Sequence, residues 1–199
     1  MAYVIYGLGN AGDEYVHTRH NAGRMAVELY CSKHGECGDF VYDKKTRTYQ
    51  AKIAGGKKGA TAILYEGFMN NSGRALVSLV KNIKEAERTI VIYDDIDLPF
   101  GSYKISFDRG DGGHNGLRSV IQHIKTKKFI RIRIGVAQTT PRGVIKKPKD
   151  KEQFKTYLLS PFKPDELKQL KKICASIAKA IDCLCSETRE KCMSLYHMP

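Results

Sequence analysis

Tryptophan is absent from the 199 residues, and no stretch approaches the roughly 18 apolar residues that a membrane-spanning helix needs. The opening Met1-Ala2-Tyr3-Val4-Ile5-Tyr6 has neither the basic lead nor the small-residue cleavage site of a secretory signal, so a cytoplasmic protein is expected. None of Cys31, Cys37, Cys174, Cys183, Cys185 and Cys192 forms a C-x-x-C pair, and Cys183, Cys185, Cys192 and His197 fit no usual zinc spacing. A chain this long can bury its own core, so free thiols are expected rather than disulfides or a metal cluster. Also missing are a G-x-S-x-G nucleophile motif, internal repeats and low-complexity tracts. The scarcest charge is negative: 21 Asp+Glu face 34 Lys+Arg, leaving +13 with neutral histidines. Such an excess favours a polyanionic partner through phosphate neutralisation.

What is present reads as one folded domain, with 42% hydrophobic and 28% charged residues. Ala2–Tyr6 is a β-rich run entering a glycine turn, and Ala22, Met25, Ala26, Leu29 and Tyr30 then recur at helical spacing over about 21–35. Strands are expected at about 47–54, 60–65, 89–93, 102–107 and 130–136. The strand at 89–93 should end in the acidic cluster Asp94-Asp95-Ile96-Asp97. Ser72 reads as the N-cap of a helix carrying Leu76, Leu79, Val80 and Ile83, and another helix should start just after Asn115. From 139 to 155 the apolar pattern lapses into six basic residues, Arg142, Lys146, Lys147, Lys149, Lys151 and Lys155, read as a mobile loop. Pro164-Asp165-Glu166 opens a long amphipathic helix to about 190. Strands alternating with helices give the α/β class: a single globular domain with a mixed, largely parallel central sheet flanked by helices.

Gly7-Leu8-Gly9-Asn10-Ala11-Gly12 satisfies G-x-G-x-x-G after a strand. A dinucleotide site needs the helix to begin within those glycines, so that its N-terminus meets the pyrophosphate. Here the polar, aperiodic stretch Asp13–His20 delays the helix, and Glu28, the acidic residue nearest the required spacing, falls inside it. The geometry of a nicotinamide or flavin site is missing.

Asn10, His20, Asn70 or Asn71, Asp94 and Asn115 fall at strand ends or helix starts, where an open α/β sheet gathers its site. One imidazole, a carboxylate after a buried strand and several amides suit attack of water on an ester or amide. Each has a structural alternative: Asn70 and Asn115 as helix caps, His20 as a turn residue, Asp94 as one of three solvated carboxylates.

Longer segments weigh on that choice. Gly7–Gly12 with Tyr15 and Thr18-Arg19-His20-Asn21-Ala22-Gly23, then Phe68-Met69-Asn70-Asn71-Ser72-Gly73, Asp94-Asp95-Ile96-Asp97-Leu98-Pro99 and Gly112-Gly113-His114-Asn115-Gly116-Leu117 occur in this order. Together with Arg131–Gly135 and Tyr157–Phe162, they resemble the bacterial-type peptidyl-tRNA hydrolases over about 3–190. The resemblance implies hydrolysis of the ester joining a peptide to the 3′-terminal ribose of tRNA. It implies His20 as the base for water, Asp94 as its partner and Asn10 as the residue that distinguishes an N-blocked from a free aminoacyl group. Tyr15, Phe68, Met69, Asn70 and Asn115 would line the cleft, with Lys104, Arg133 and the 142–155 segment toward phosphates. It further implies a monomer without metal or organic cofactor, acting on the acceptor arm and 3′ end of tRNA. Ala11, Gly67 and Tyr93 depart from the usual Pro, Thr or Ser, and His, and none is a proposed catalytic group. The alternative is a catalytically silent RNA-binding relative of the same fold.

Overall fold

The computed structural model describes residues 2–54 and 59–196. The strands are β1 (Tyr3–Gly7), β2 (Val41–Asp43), β3 (Thr48–Ile53), β4 (Ala60–Tyr65), β5 (Thr89–Pro99), β6 (Tyr103–Phe107), β7 (Ile130–Thr139) and β8 (Ile145–Lys146). The helices are α1 (Ala22–Lys33), α2 (Ile83–Ala86), α3 (Asn115–Ile124), α4 (Lys151–Leu159), α5 (Pro164–Ser186) and α6 (Arg189–Leu195). Tight 3₁₀ turns at Asp13–Tyr15, Arg19–Asn21 and Met69–Leu76 complete the elements.

One mixed sheet runs in the order β2-β3-β4-β1-β5-β7-β6, with β8 paired to the end of β7. The four central strands β4, β1, β5 and β7 are parallel, and antiparallel pairing is confined to the flanks. Central parallel strands are covered on both faces, so they read as continuous apolar runs, and every residue of β4 is buried. One face packs Ile5, Ile90, Ile92, Ile132 and Ile134 under α1 and α5. The other packs Tyr6, Ile63, Val91, Tyr93 and Phe129 under α3 and the Met69–Leu76 turn. Each fully buried aliphatic side chain contributes roughly 1.5–3 kcal/mol.

The glycine motif serves this packing. A Cβ on Gly23 would lie 2.1 Å from the carbonyl oxygen of Ile92, and one on Gly7 would lie 2.6 Å from that of Gly23. The start of α1 therefore sits flush on the ends of β1 and β5. It begins at Ala22, well beyond Gly12, so α1 does not start within the glycine motif.

Several expectations need correction. Ser72 caps no helix: it sits inside the 3₁₀ turn, where its Oγ donates to the carbonyl of Met69 and its own carbonyl accepts from the Tyr6 hydroxyl. The short α2 is capped instead by Asn82, whose side chain accepts from Glu85 N. β5 does not stop before the acidic cluster but runs through it to Pro99, because β7 continues to pair with it at Asp94 and Asp95. The 139–155 segment is partly ordered: β8 folds back on β7, and Asp150 caps α4 by accepting from Gln153 N. The C-terminal helix ends at Ser186, and Thr188 caps a separate α6. That break folds α6 back so that Cys183 and Cys192 form a disulfide, with Cα atoms 5.9 Å apart; these two are not free thiols. Cys31, Cys37, Cys174 and Cys185 are free, and His197 lies outside the described residues. Among the described residues no helix is long and apolar enough to cross a membrane.

Candidate active site

The site begins with the 3₁₀ turn Arg19–Asn21, which is pinned before any chemistry is considered. Arg19, 3% exposed, donates to both carboxylate oxygens of Glu166 at 2.9 and 2.8 Å, to the Ser160 hydroxyl at 3.0 Å and to the Pro161 carbonyl at 2.7 Å. Its guanidinium lies over the rings of Tyr157 and Phe162. Backbone bonds from Arg19 N to the Ser160 carbonyl and from Phe162 N to the His17 carbonyl close the same junction.

The next residue, His20, places Nδ1 at 3.0 Å from both carboxylate oxygens of Asp94, which is buried on β5. A second imidazole completes the group: His114 Nε2 lies 3.0 Å from Asp94 Oδ1. His114 is also the N-cap of α3, its Nδ1 accepting from Leu117 N at 3.2 Å. That bond assigns the tautomer, because the nitrogen that accepts carries no proton and Nε2–H must donate to Asp94. The carboxylate thus receives one N–H from each imidazole. His20 then carries its proton on Nδ1 and turns the lone pair of Nε2, unpartnered among the described residues, toward the chemistry.

The electrostatics agree. Burial alone would lower the His20 pKa, but the charge of Asp94 and the hydrogen bond to it outweigh burial and raise it. Burial would raise Asp94, yet the charges and hydrogen bonds of the two imidazoles hold it well below the usual carboxylate range.

His20, Asp94 and His114 open on a cleft of about 540 Å³, with Asn115, Arg133 and the α4 residues Phe154 and Leu158 among its lining. The loop between β6 and α3 forms one side. It is held by the buried Arg131, which stacks on Phe129 and donates to the carbonyls of Arg109, Lys127 and Phe129. Burial lowers the Arg131 pKa to about 10, against 12.5 ordinarily.

The other expected residues are placed as follows. Asn10, nearly buried after β1, accepts from Met69 N through Oδ1 at 2.8 Å. Met69 is buried, and a Cβ on Gly116 would lie 2.5 Å from its Sδ and 3.0 Å from His114 Cε1. Asn10 borders a separate depression of about 390 Å³ and does not line the main cleft. Phe68 and Asn70 flank Met69 on the exposed side of their turn, and Tyr15 is half-buried; none of the three lines the main cleft. Neither Asn70 nor Asn115 makes a side-chain hydrogen bond among the described residues, so neither caps a helix. Lys104 is exposed opposite Arg133 on the neighbouring strand. Arg133 is not a free cation: its Nε donates to Asp95 at 2.7 Å. Lys147 pairs with Asp97 at 2.5 Å.

Reasoning from sequence passed over His114, although it precedes Asn115 in the same segment; a histidine directly before an expected helix start was the available signal. It also passed over Arg19 and Asn21, whose positions beside His20 were the only hint. The His20, Asp94 and His114 ligand atoms lie within 4.8 Å of one another, close enough to hold a cation. Their two N–H groups and the carboxylate also satisfy one another directly.

A buried carboxylate that orients an imidazole beside an open cleft, at the carboxyl ends of parallel strands, is an arrangement that suits the hydrolase class. The comparison with known proteins narrows the class: residues 4–199 match the family model described as peptidyl-tRNA hydrolase, and the chain belongs to that family. It is 38% identical to the peptidyl-tRNA hydrolase of Aquifex aeolicus over 91% of this chain and 87% of that relative. It is 33% identical to that of Gloeobacter violaceus over 98% and 93%. Among solved structures, a peptidyl-tRNA hydrolase in complex with N-propanol superposes with a TM-score of 0.85 at 27% identity, covering 100% of this chain and 96% of that one. The Acinetobacter baumannii enzyme superposes at 0.84, also with 27% identity, over 97% and 93%.

Proposed function

We propose that this protein hydrolyses the ester between a peptide and the 3′-terminal ribose of tRNA, with His20 as general base. The observation that carries the reading is the His20–Asp94 pair, which commits Nδ1 and leaves Nε2 as the proton acceptor. Nε2 takes a proton from water as the oxygen attacks the ester carbonyl. Asp94 stabilises the imidazolium that forms. The tetrahedral intermediate then expels the ribose oxygen, which takes the proton back from Nε2, so tRNA and the peptide's carboxylic acid leave with His20 restored, and the acid gives its proton to solvent. A base of this kind contributes about 10²–10⁴-fold.

His114 is a positioning residue whose Nε2 donates to Oδ1 of Asp94, an oxygen it shares with His20. Asn10 reads the blocked amino group, while Tyr15, Phe68, Met69, Asn70 and Asn115 grip the peptide backbone and the tRNA 3′ end. The amides of Asn70 and Asn115 have both donor and acceptor to spare, which suits a substrate of variable side chains. Lys104, Arg133 and the lysines around β8 neutralise acceptor-arm phosphates, within the +13 of the whole chain. No metal or organic cofactor enters these steps. The same reading has the protein act as a monomer in the cytoplasm, where translation supplies the substrate.

The test is release of peptide from N-acetyl-aminoacyl-tRNA. Wild-type protein should cleave it, and His20→Ala should lose turnover while tRNA affinity stays within a few-fold. Wild-type protein that binds tRNA and leaves the ester intact would establish the silent RNA-binding alternative.

A further inference from the structure

Asn10 is held by a second asparagine to which no role has yet been given. The backbone N–H of Asn10 donates to Oδ1 of Asn21 at 2.8 Å, and the backbone carbonyl of Asn10 accepts from Nδ2 of Asn21 at 3.0 Å. One side-chain amide thereby pairs with both polar groups of a single residue's main chain, as a neighbouring strand would. Because a backbone N–H only donates and a carbonyl only accepts, the orientation of the Asn21 amide is unique. Asn21 is 1% exposed, and both bonds are buried.

This arrangement takes the side chain away from a local task. Asn21 occupies the N-cap position of α1, where asparagine ordinarily accepts a hydrogen bond from the first turn, and here it makes none. The helix gives up its cap, and the turn carrying Asn10 is fixed instead.

The Asn10 side chain is equally determined. Its Oδ1 is committed to Met69 N, so the amide cannot flip, and Nδ2, without a partner among the described residues, is the group left to meet a ligand. Asn10 therefore has its Nδ2 donors free while one lone pair of Oδ1 is taken by Met69 N.

We infer that Asn21 is a specificity-determining positioning residue: it holds Asn10 so that the amino-group end of the substrate meets the Nδ2 donors of Asn10. Such a site pairs with the carbonyl oxygen of an N-acylated amino group and turns away a free α-ammonium, which brings donors and a positive charge. Near neutral pH an α-amino group, with an ordinary pKa near 8, is mostly protonated, so the mismatch operates under working conditions. The inference rests on the proposed hydrolysis of peptidyl-tRNA and adds how that site selects its substrate.

The experiment compares kcat/KM for N-acetyl-aminoacyl-tRNA and for the free aminoacyl-tRNA in wild type, Asn21→Ala and Asn21→Asp. Asn21→Ala should lower the ratio of the two by about tenfold or more, the scale of one misplaced buried hydrogen bond. The pH inflection set by His20 should stay in place. Asn21→Asp keeps the acceptor for Asn10 N–H but loses the donor to its carbonyl, and should fall between. Should Asn21→Ala fail to fold, Asn10→Asp supplies the reading: a carboxylate oxygen facing the substrate should move preference toward the free ammonium form. A ratio unchanged in these variants, with wild type still cleaving the N-acetyl substrate, overturns the inference alone. Wild-type protein that cannot cleave that substrate overturns the proposed activity and this inference with it.

Discussion

Replacing Arg19 by Met should destabilise the fold by about 3 kcal/mol. The side chain has 4% of its surface exposed, and it faces Glu166 with 21%. Removing one member of a buried ion pair costs about 3–5 kcal/mol, because the other charge is left uncompensated. Glu166 retains some solvent and still accepts from Lys163 N at 2.6 Å, as the start of α5 requires, which places the cost at the lower end. The Ser160 and Pro161 carbonyls also lose a donor, while the apolar stem of Met keeps part of the packing on Tyr157 and Phe162. For a chain of this size, about 3 kcal/mol lowers the melting temperature by roughly 6–12 °C. Urea unfolding and thermal melts of Arg19→Met, Glu166→Gln and the double variant test the source of that loss. The double variant buries no unpaired charge and should be more stable than the sum of the two single losses predicts. Arg19→Lys keeps the charge without the two-pronged geometry and should fall between wild type and Met. A loss under about 1 kcal/mol for Arg19→Met, or strict additivity in the double variant, would refute the view that this pair pins the turn carrying His20.

The pH dependence follows from the sign of the His20 shift. A base works deprotonated, so activity should rise with pH through an inflection above the ordinary imidazole value of about 6.5, because Asp94 raises the His20 pKa. Asp94→Asn removes that charge, so the rate should fall and the inflection should move down; a pH–rate profile with an unmoved inflection would sink the pairing. Reversal of Lys146, Lys147 and Lys149 to Glu should weaken tRNA binding and flatten the logarithmic dependence of affinity on salt. An unaltered slope in a salt titration would take this segment out of the interface.

Periodicity was enough to locate most strands and α1, because fully covered parallel strands are short apolar runs and α1 has an apolar stripe. It failed where a partner rather than the local pattern decides conformation. Asp95 reads as a turn residue, yet in the folded chain it sits in β5 and accepts from Arg133 across the ladder. In the lysine-rich segment before α5 the apolar residues of α4 are confined to Phe154, Tyr157, Leu158 and Leu159, a short signal for a helix, and Phe154, Leu158 and Leu159 line the cleft. The same holds at the site. Asp94 was legible from its position at the end of a β-rich run and His20 from its position before α1, whereas the second imidazole on Asp94 depends on how α3 docks. Nothing in the spacing of Cys183 and Cys192 shows that α5 breaks between them; the disulfide depends on that break.

The 3₁₀ turn Arg19–Asn21 has a consequence for which length changes the chain can tolerate. With three residues per turn, successive side chains point about 120° apart. Three adjacent residues can therefore serve three separate parts of the protein: Arg19 the start of α5, His20 the carboxylate on β5, and Asn21 the residue after β1. Inserting or deleting one residue here would turn all three away at once, and no change elsewhere on a single partner could restore them. Between β8 and α4, where the contacts include the exposed Lys147–Asp97 pair and the Asp150 cap on α4, a change in length would disturb those local bonds and leave the turn intact.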